Sequence, residues 1–359
     1  MKKGILKKIL ICLISIIALV LLFVISFIIF ASITTLKVKD REEMPISKSI
    51  NNTLSENAEI TVLTWNMGYG GLDERQDCYL DGGKGVDAES KEKVLENTIA
   101  IENTIKGYNP DIIFIQEIDI NSKRSYKTDE LTHLKTAFSE DVYQNSFALN
   151  FKAGFIPIPL YNPIGKVEAG IASFSKYQMS TSTRVQLPIP FTWPVSLLNL
   201  KRCLLVNRIK IDGSDKELVT INFHLEAYDD GEGKAKQLKQ LMDIIKEEYD
   251  KGNYVIAGGD FNQTFSNVDL SKYPKRNDWV CPIINVDDYD YVTFNMDDRT
   301  PTCRSLYKTY YDSDKPNHQF YMIDGFIVTN NIKVNTIETI DLDFKNSDHN
   351  PVITNIKLQ

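Results

Sequence analysis

Six short segments place acids, amides or imidazoles directly beside apolar runs: Trp65-Asn66, Gln116-Glu117, His224, Asp260-Phe261-Asn262, Ile323-Asp324 and Ser347-Asp348-His349. Asp260 and Asn262 are two apart, so in extended backbone they face the same side. Side chains leaving several strand ends into one mouth are how α/β folds assemble sites. A carboxylate such as Glu117 suits a hard divalent cation, Mg²⁺ first, with Mn²⁺ or Ca²⁺ as substitutes. The Asp348-His349 pair offers an oxygen ligand and an imidazole for proton transfer. Together the set can neutralise a phosphate ester, activate a water and stabilise a leaving group. Singly, each signal is ordinary: an acid beside glycine makes turns, and a lone histidine is more often structural.

The elements that must carry these groups are partly readable. Residues 59–67 and 111–118 read as strands, the second a continuous apolar run of the buried kind. Between them, residues 90–108 repeat Val94, Ile101, Ile105 and Tyr108 at helical spacing, stopped at Asn109-Pro110. Residues 204–211 and 217–225 read as a hairpin turned by Asp212-Gly213. Residues 234–249 form a second amphipathic helix, followed by strands at 253–257, 322–329 and 352–358. The expected class is α/β, with one core of strands and flanking helices.

The N-terminus has a different composition. No charged residue lies between Lys8 and Lys37, and residues 9–33 are almost wholly Ile, Leu, Val, Phe and Ala. Such a run is long enough to cross a hydrocarbon core of about 30 Å as a helix. It exceeds a signal-peptide core and lacks a following A-x-A site. It reads as a single-pass signal anchor over 9–36 in the cell membrane. Lysines in the preceding cytosolic residues 1–8 put the remainder outside, as an extracytoplasmic body. Residues 37–58, polar and with Pro45, read as a linker, and a catalytic domain as 59–359.

Of 359 residues with net charge −7, the first 41 carry Lys2, Lys3, Lys7, Lys8, Lys37, Lys39 and Arg41 against Asp40 alone. The body is therefore strongly acidic, which argues against a broad, sequence-independent grip on nucleic acid. Nucleic acid remains a possible substrate only, and no protein partner is expected. Five cysteines (Cys12, Cys78, Cys203, Cys281, Cys303) show no zinc-like spacing. The last four are read equally well as two disulfides or as free thiols.

The series TWNMGYGG, DIIFIQEID, NFHLEA, IAGGDFNQT, MIDGFIV and SDHNPV resembles the endonuclease/exonuclease/phosphatase superfamily, over about residues 60–358. The resemblance implies a two-sheet β-sandwich flanked by helices, in four layers α/β/β/α. It makes Glu117 the principal Mg²⁺ ligand, assisted by Asn66 and Asp348. It makes Asp260 the group that orients or deprotonates water, and Asn262 the holder of a phosphate oxygen. His349, oriented by Asp324, contacts the phosphate or transfers a proton. His224 matches a second histidine of the deoxyribonuclease-like branch, paired there with a glutamate that Glu168 would supply. Thr302 and Arg304 resemble the family's Thr/Arg contact to substrate, Arg304 reading equally as a surface ion pair.

Substrate is less defined. A nuclease-like phosphodiesterase is the first reading. A sphingomyelinase-like phospholipid phosphodiesterase, or a phosphatase of sugar or inositol phosphates, is the alternative. An inactive binding protein is disfavoured because each matched position carries the expected residue type. Residues 154–163 and 187–194 set Phe155, Ile156, Leu160, Phe191 and Trp193 among prolines, so they read as apolar loops. The glycine-rich stretch 77–87 reads as a substrate lid or a connector.

Overall fold

The computed structural model describes residues 2–229, 231–271, 273, 279–312 and 314–359. Two mixed sheets pack face to face. The first contains β1 (Arg41–Glu43), β6 (Met179–Gln186), β7 (Cys203–Lys210), β8 (Glu217–His224), β9 (Tyr254–Asp260), β15 (Asp324–Thr329) and β12 (Val292–Asn295), in that order. The second runs β16 (Ile332–Thr339), β17 (Val352–Leu358), β2 (Glu59–Asn66), β3 (Ile112–Asp119), β5 (Gly165–Ser175) and β4 (Gln144–Ile156). Two short ribbons pair β10 (Thr264–Phe265) with β11 (Ile283–Ile284), and β13 (Cys303–Arg304) with β14 (Phe320–Tyr321).

Each sheet has one parallel pair at its centre, β2–β3 and β8–β9. Parallel neighbours need a crossover, and helices α2 (Lys91–Tyr108) and α4 (Glu232–Asp250) supply it. Ser90 caps α2 by accepting from the Lys93 amide, and Asn109 ends it in the left-handed region, φ 48°. Strand alternation then sorts the core. Ile60, Val62, Ile112 and Phe114 face Ile209, Leu218, Ile256 and Phe326 between the sheets. Leu63, Trp65, Ile113 and Ile115 face outward onto Ile101 and Ile105 of α2 and Leu134 of α3 (Glu130–Ala137). Val219, Ile221, Val255 and Ala257 do the same for Leu238, Leu241 and Ile245 of α4. The result is the expected four-layer α/β/β/α sandwich.

Buried polar links cross the interface between the sheets, among them Ser146 on β4 donating to Asn207 Oδ1 on β7 at 2.8 Å. Gln116 on β3 donates to Asn222 Oδ1 on β8 at 2.7 Å, and Asn222 donates to the Ile115 and Ala172 carbonyls. Both side chains are fully buried.

Two expectations meet a different arrangement. Residues 37–58 are not a free linker beyond their first few positions. β1 pairs with β6, the Met44 amide donates to the Ser182 carbonyl, and Leu54 is fully buried between the sheets. A polar strand such as Arg41–Glu43 has no local signature because its partner strand forms it. Residues 154–156, expected as loop, complete β4, and the loop begins at Pro157. All five cysteines are free thiols.

Helix α1 (Lys2–Thr34) is long and apolar enough to cross a membrane, and no residue of the most apolar window within it is buried in the protein. Its last turn does touch the domain. Ala31 and Thr35 are buried, and the Leu36 amide donates to the Lys152 carbonyl of β4 at 3.1 Å.

Candidate active site

The ends of β2, β3, β8 and β9 and the start of β15 meet at one end of the sandwich. Asp260 is the cross-strand partner of His224 on one side and of Asp324 on the other. Gly259, just before Asp260, has φ +155°. A Cβ there would sit 2.0 Å from the Phe223 carbonyl, so only glycine lets β9 close on β8 at this point.

Glu117 is aimed by a bulge. Pairing of β3 with β5 slips between Ile115 and Ile118, and Glu117 adopts φ 54°. A bulge redirects a side chain that regular alternation would bury. Left-handed backbone at a glutamate costs about 1–2 kcal/mol and concentrates at functional sites. Asn262 is likewise left-handed, φ 49°.

Asp260 collects the neighbouring groups. Asn66 Nδ2 lies 3.1 Å from Asp260 Oδ2 and 3.1 Å from Glu117 Oε1. His224 Nε2 is 3.3 Å from the same Asp260 oxygen, and His349 Nε2 is 3.8 Å away. The Asn262 amide donates to Asp260 Oδ1 at 2.8 Å. His349 Nδ1 is 2.8 Å from Asp324 Oδ2 and its Nε2 is 3.8 Å from Asp348 Oδ2. The Ser347–His349 loop is tied to β2: Trp65 donates to the His349 carbonyl, and Ser347 to the Asn66 carbonyl.

Burial and charge separate the two imidazoles. Burial pushes His224 well below the ordinary value, with Arg202 and His349 adding to the fall. Burial also opposes the charged form of His349, but Asp324, with Cys303 and Asp348 behind it, holds it well above. His349 is thus an imidazolium and His224 a neutral ring at pH 7. Burial, then the Asp324 charge, raises Asp260 to about 7, a value suited to proton transfer near neutrality. Burial raises Asp348 to about 6, with Glu117 contributing.

These groups line one end of a cleft of about 400 Å³, walled further by Tyr69, Leu80, Leu200 and Trp279. Two buried triples could hold a cation: Asp260, Asp324 and His349, and Cys303, Asp348 and His349. Glu117 belongs to neither. A cation that keeps several waters needs only one or two carboxylates, and Glu117 and Asp348 both line the cleft. Burial, with Glu117 adding repulsion, raises Asp348, and a bound cation would oppose both.

Two sequence-derived assignments, those of Glu168 and Thr302, need correction, and of the two readings of Arg304 the surface ion pair falls away. Glu168 does not reach His224; it pairs with Lys152 at 2.7 Å and Lys166 at 3.3 Å on the face of β5. His224 instead faces Glu117 Oε1 at 3.9 Å and Asp260. Thr302 is fully buried, and its hydroxyl accepts from the Ile323 and Asp324 amides, so it positions β15 rather than touching a ligand. Arg304 borders the cleft but is no surface ion pair. It is buried, and its guanidinium donates to the Leu72, Asp73 and Gln76 carbonyls. The sequence reading also missed Arg202, which joins buried Glu226 at 3.2 Å and donates to the His224 carbonyl at the strand end. It missed Tyr69, over whose ring Arg124 lies at 3.7 Å. Neither has a local signal, since both depend on loop closure.

Residues 63–349 match the Endonuclease/Exonuclease/phosphatase family. The chain belongs to that family, and so to the metal-dependent phosphoesterase hydrolases. An endonuclease/exonuclease/phosphatase from Beutenbergia cavernae is 18% identical, with 84% of this chain and 72% of that one covered and a TM-score of 0.55. One from Bacteroides vulgatus is 16% identical, covering 84% and 100%, with a TM-score of 0.54. The catalytic domain of human Nocturnin, solved with a sulfate anion, is 15% identical, covering 88% and 98%, with a TM-score of 0.51. At these identities the likeness is one of fold. No curated protein sequence matches the chain.

Proposed function

We propose that this protein is a Mg²⁺-dependent phosphodiesterase whose catalytic domain is held outside the cell membrane by α1. The observation that carries the reading is the arrangement around Asp260, where Asn66, His224 and His349 converge while the bulged Glu117 faces the same cleft. Glu117, with Asp348 and Asn66, would hold the cation, which when bound supplies charge neutralisation and polarises the phosphate. Asp260 takes the proton of the attacking water, and Asn66 and neutral His224 hold its carboxylate in place. Imidazolium His349, kept charged by Asp324, stabilises the charge that grows on the phosphoryl oxygens. Asn262 donates to the Leu225 carbonyl, which fixes it beside Asp260 at the cleft wall.

A phospholipid diester is the second reading, favoured by Leu80, Leu200 and Trp279 at the cleft and by α1. The test sets duplex DNA, RNA, sphingomyelin and inositol phosphates side by side, using the full chain in detergent with Mg²⁺ or EDTA. Cleavage of at least one diester class is expected with Mg²⁺ and none with EDTA. Glu117→Gln is expected to lose about 10³-fold or more, as for removal of a major electrostatic group. Hydrolysis that persists in EDTA or in the variant refutes the assignment.

A further inference from the structure

Two exposed apolar loops flank the point where α1 meets the domain. The first follows β4 and carries Ile158, Leu160 and Tyr161, the last two 88% and 68% exposed. The second follows β6 and carries Trp193, 66% exposed, and Val195. Their bases share one small core, in which Ile156 and Phe151 of β4 pack with Leu198 and Leu200. The last turn of α1, β4 and the 195–198 turn also touch one another.

The seat of the helix is specific. A Cβ at Gly154 would meet Thr34 Oγ1 at 2.5 Å and Phe30 Cζ at 2.9 Å, so glycine admits the helix end against the strand. The apolar run of residues 9–33 is about 37 Å long as a helix, which exceeds a hydrocarbon core of about 30 Å. The turn touching β4 therefore lies at the bilayer boundary. Tryptophan and tyrosine favour that boundary, and Lys37 and Lys39, exposed just past the helix, suit its headgroups. Leu160, Tyr161 and Trp193 are exposed on two loops whose bases share one apolar core beside the end of α1, which an apolar interface would cover.

We propose that the loops carrying Leu160 and Trp193 are a second membrane contact, seated in the lipid interface beside the end of α1. The proposal rests on α1 spanning the bilayer. The loops and the helix then hold the domain at three points instead of one. The contact adjoins the catalytic cleft: Leu200 lines it, and the Tyr161 hydroxyl donates to the Lys84 carbonyl in the loop bearing Leu80.

The test uses the full chain in phosphatidylcholine–phosphatidylglycerol vesicles containing phospholipid quenchers at shallow or deep positions. The difference between wild type and Trp193→Phe isolates Trp193 from Trp65 and Trp279. A shallow quencher is expected to remove about half or more of the Trp193 emission, and a deep quencher much less, as for an interfacial ring. Leu160→Glu should weaken that quenching without releasing the protein from vesicles. Flotation of the vesicles reads the anchor separately. A chain that floats while Trp193 answers only to aqueous iodide overturns the loop contact and leaves the anchor standing. A chain that does not float overturns the anchor, and the loop contact with it.

Discussion

Replacing Asp324 by Asn tests the electrostatic core of the site. Asp324 does not itself line the cleft and acts through His349, whose Nδ1 it holds at 2.8 Å. A hydrogen bond to a charged group is worth about 1.5–3 kcal/mol and a neutral one about 1, so the amide costs about 1–1.5 kcal/mol. That is about tenfold in kcat. Loss of the charge also removes the main influence that raises His349, leaving burial to push it down. The sign follows directly: a group needed in its protonated form loses it as pH rises through its pKa. A lower pKa therefore moves the alkaline limb to lower pH, and each unit crossed costs another tenfold. We expect kcat to fall about 10- to 100-fold at pH 7.5, with KM within about threefold, and to recover partly at lower pH. Steady-state kinetics from pH 5.5 to 9 supply the profile. Stability should fall by about 1–2 kcal/mol as the bond to the buried imidazolium weakens, with relief of the repulsion on Asp260 offsetting part of it. A folded variant with wild-type turnover and an unshifted profile would falsify the assigned role of the pair.

Three further outcomes are open to measurement. Asn222→Leu removes the acceptor of one Gln116 N–H between the sheets, the other staying on Thr64 Oγ1, and should cost about 1–3 kcal/mol in urea unfolding, while leaving the metal requirement unchanged. Arg304→Lys keeps the charge but has one nitrogen where Arg304 uses Nη2 for the Leu72, Asp73 and Gln76 carbonyls and Nη1 for the Ser305 carbonyl; kcat/KM should drop about tenfold and proteases should cut within 72–87, whereas wild-type activity would mean charge alone matters. Burial, with Lys37 nearby, lowers Lys201 to about 8, so the unfolded chain binds the extra proton between about 8 and 10.4 and stability gains with pH across that window. The wild-type urea midpoint should therefore rise relative to Lys201→Met over that range; a constant difference would contradict the buried ammonium.

What could be read in advance was the set of strand ends. Glu117, Asp260, Asp324 and His349 each adjoin an apolar run, and such runs identify buried strands by themselves. The two crossover helices were equally clear from their spacing. The bulge that aims Glu117 was not, because residues 111–118 read as an unbroken strand and the slip arises from pairing with β5. Neither were β4, β5 and β6, in which lysines, serines and asparagines interrupt the apolar positions and burial comes from neighbours. Glu168 went astray for a related reason: its strand was unread, so nothing showed that lysines at 152 and 166 would claim it. The roles of Thr302 and Arg304 were obscured because both act on backbone carbonyls and amides, which leave no mark in side-chain patterning.

The short distance between α1 and β1 has a steric consequence. Only residues 35–40 separate the helix from the first strand, and the Leu36 amide is already bonded to β4. A domain on a slack leash would sweep a hemisphere and intercept cargo far from its mooring. With α1 across a bilayer, as proposed above, this domain would stand at a set altitude with its mouth at a set bearing, and would select among chemically equivalent esters by the height at which they arrive.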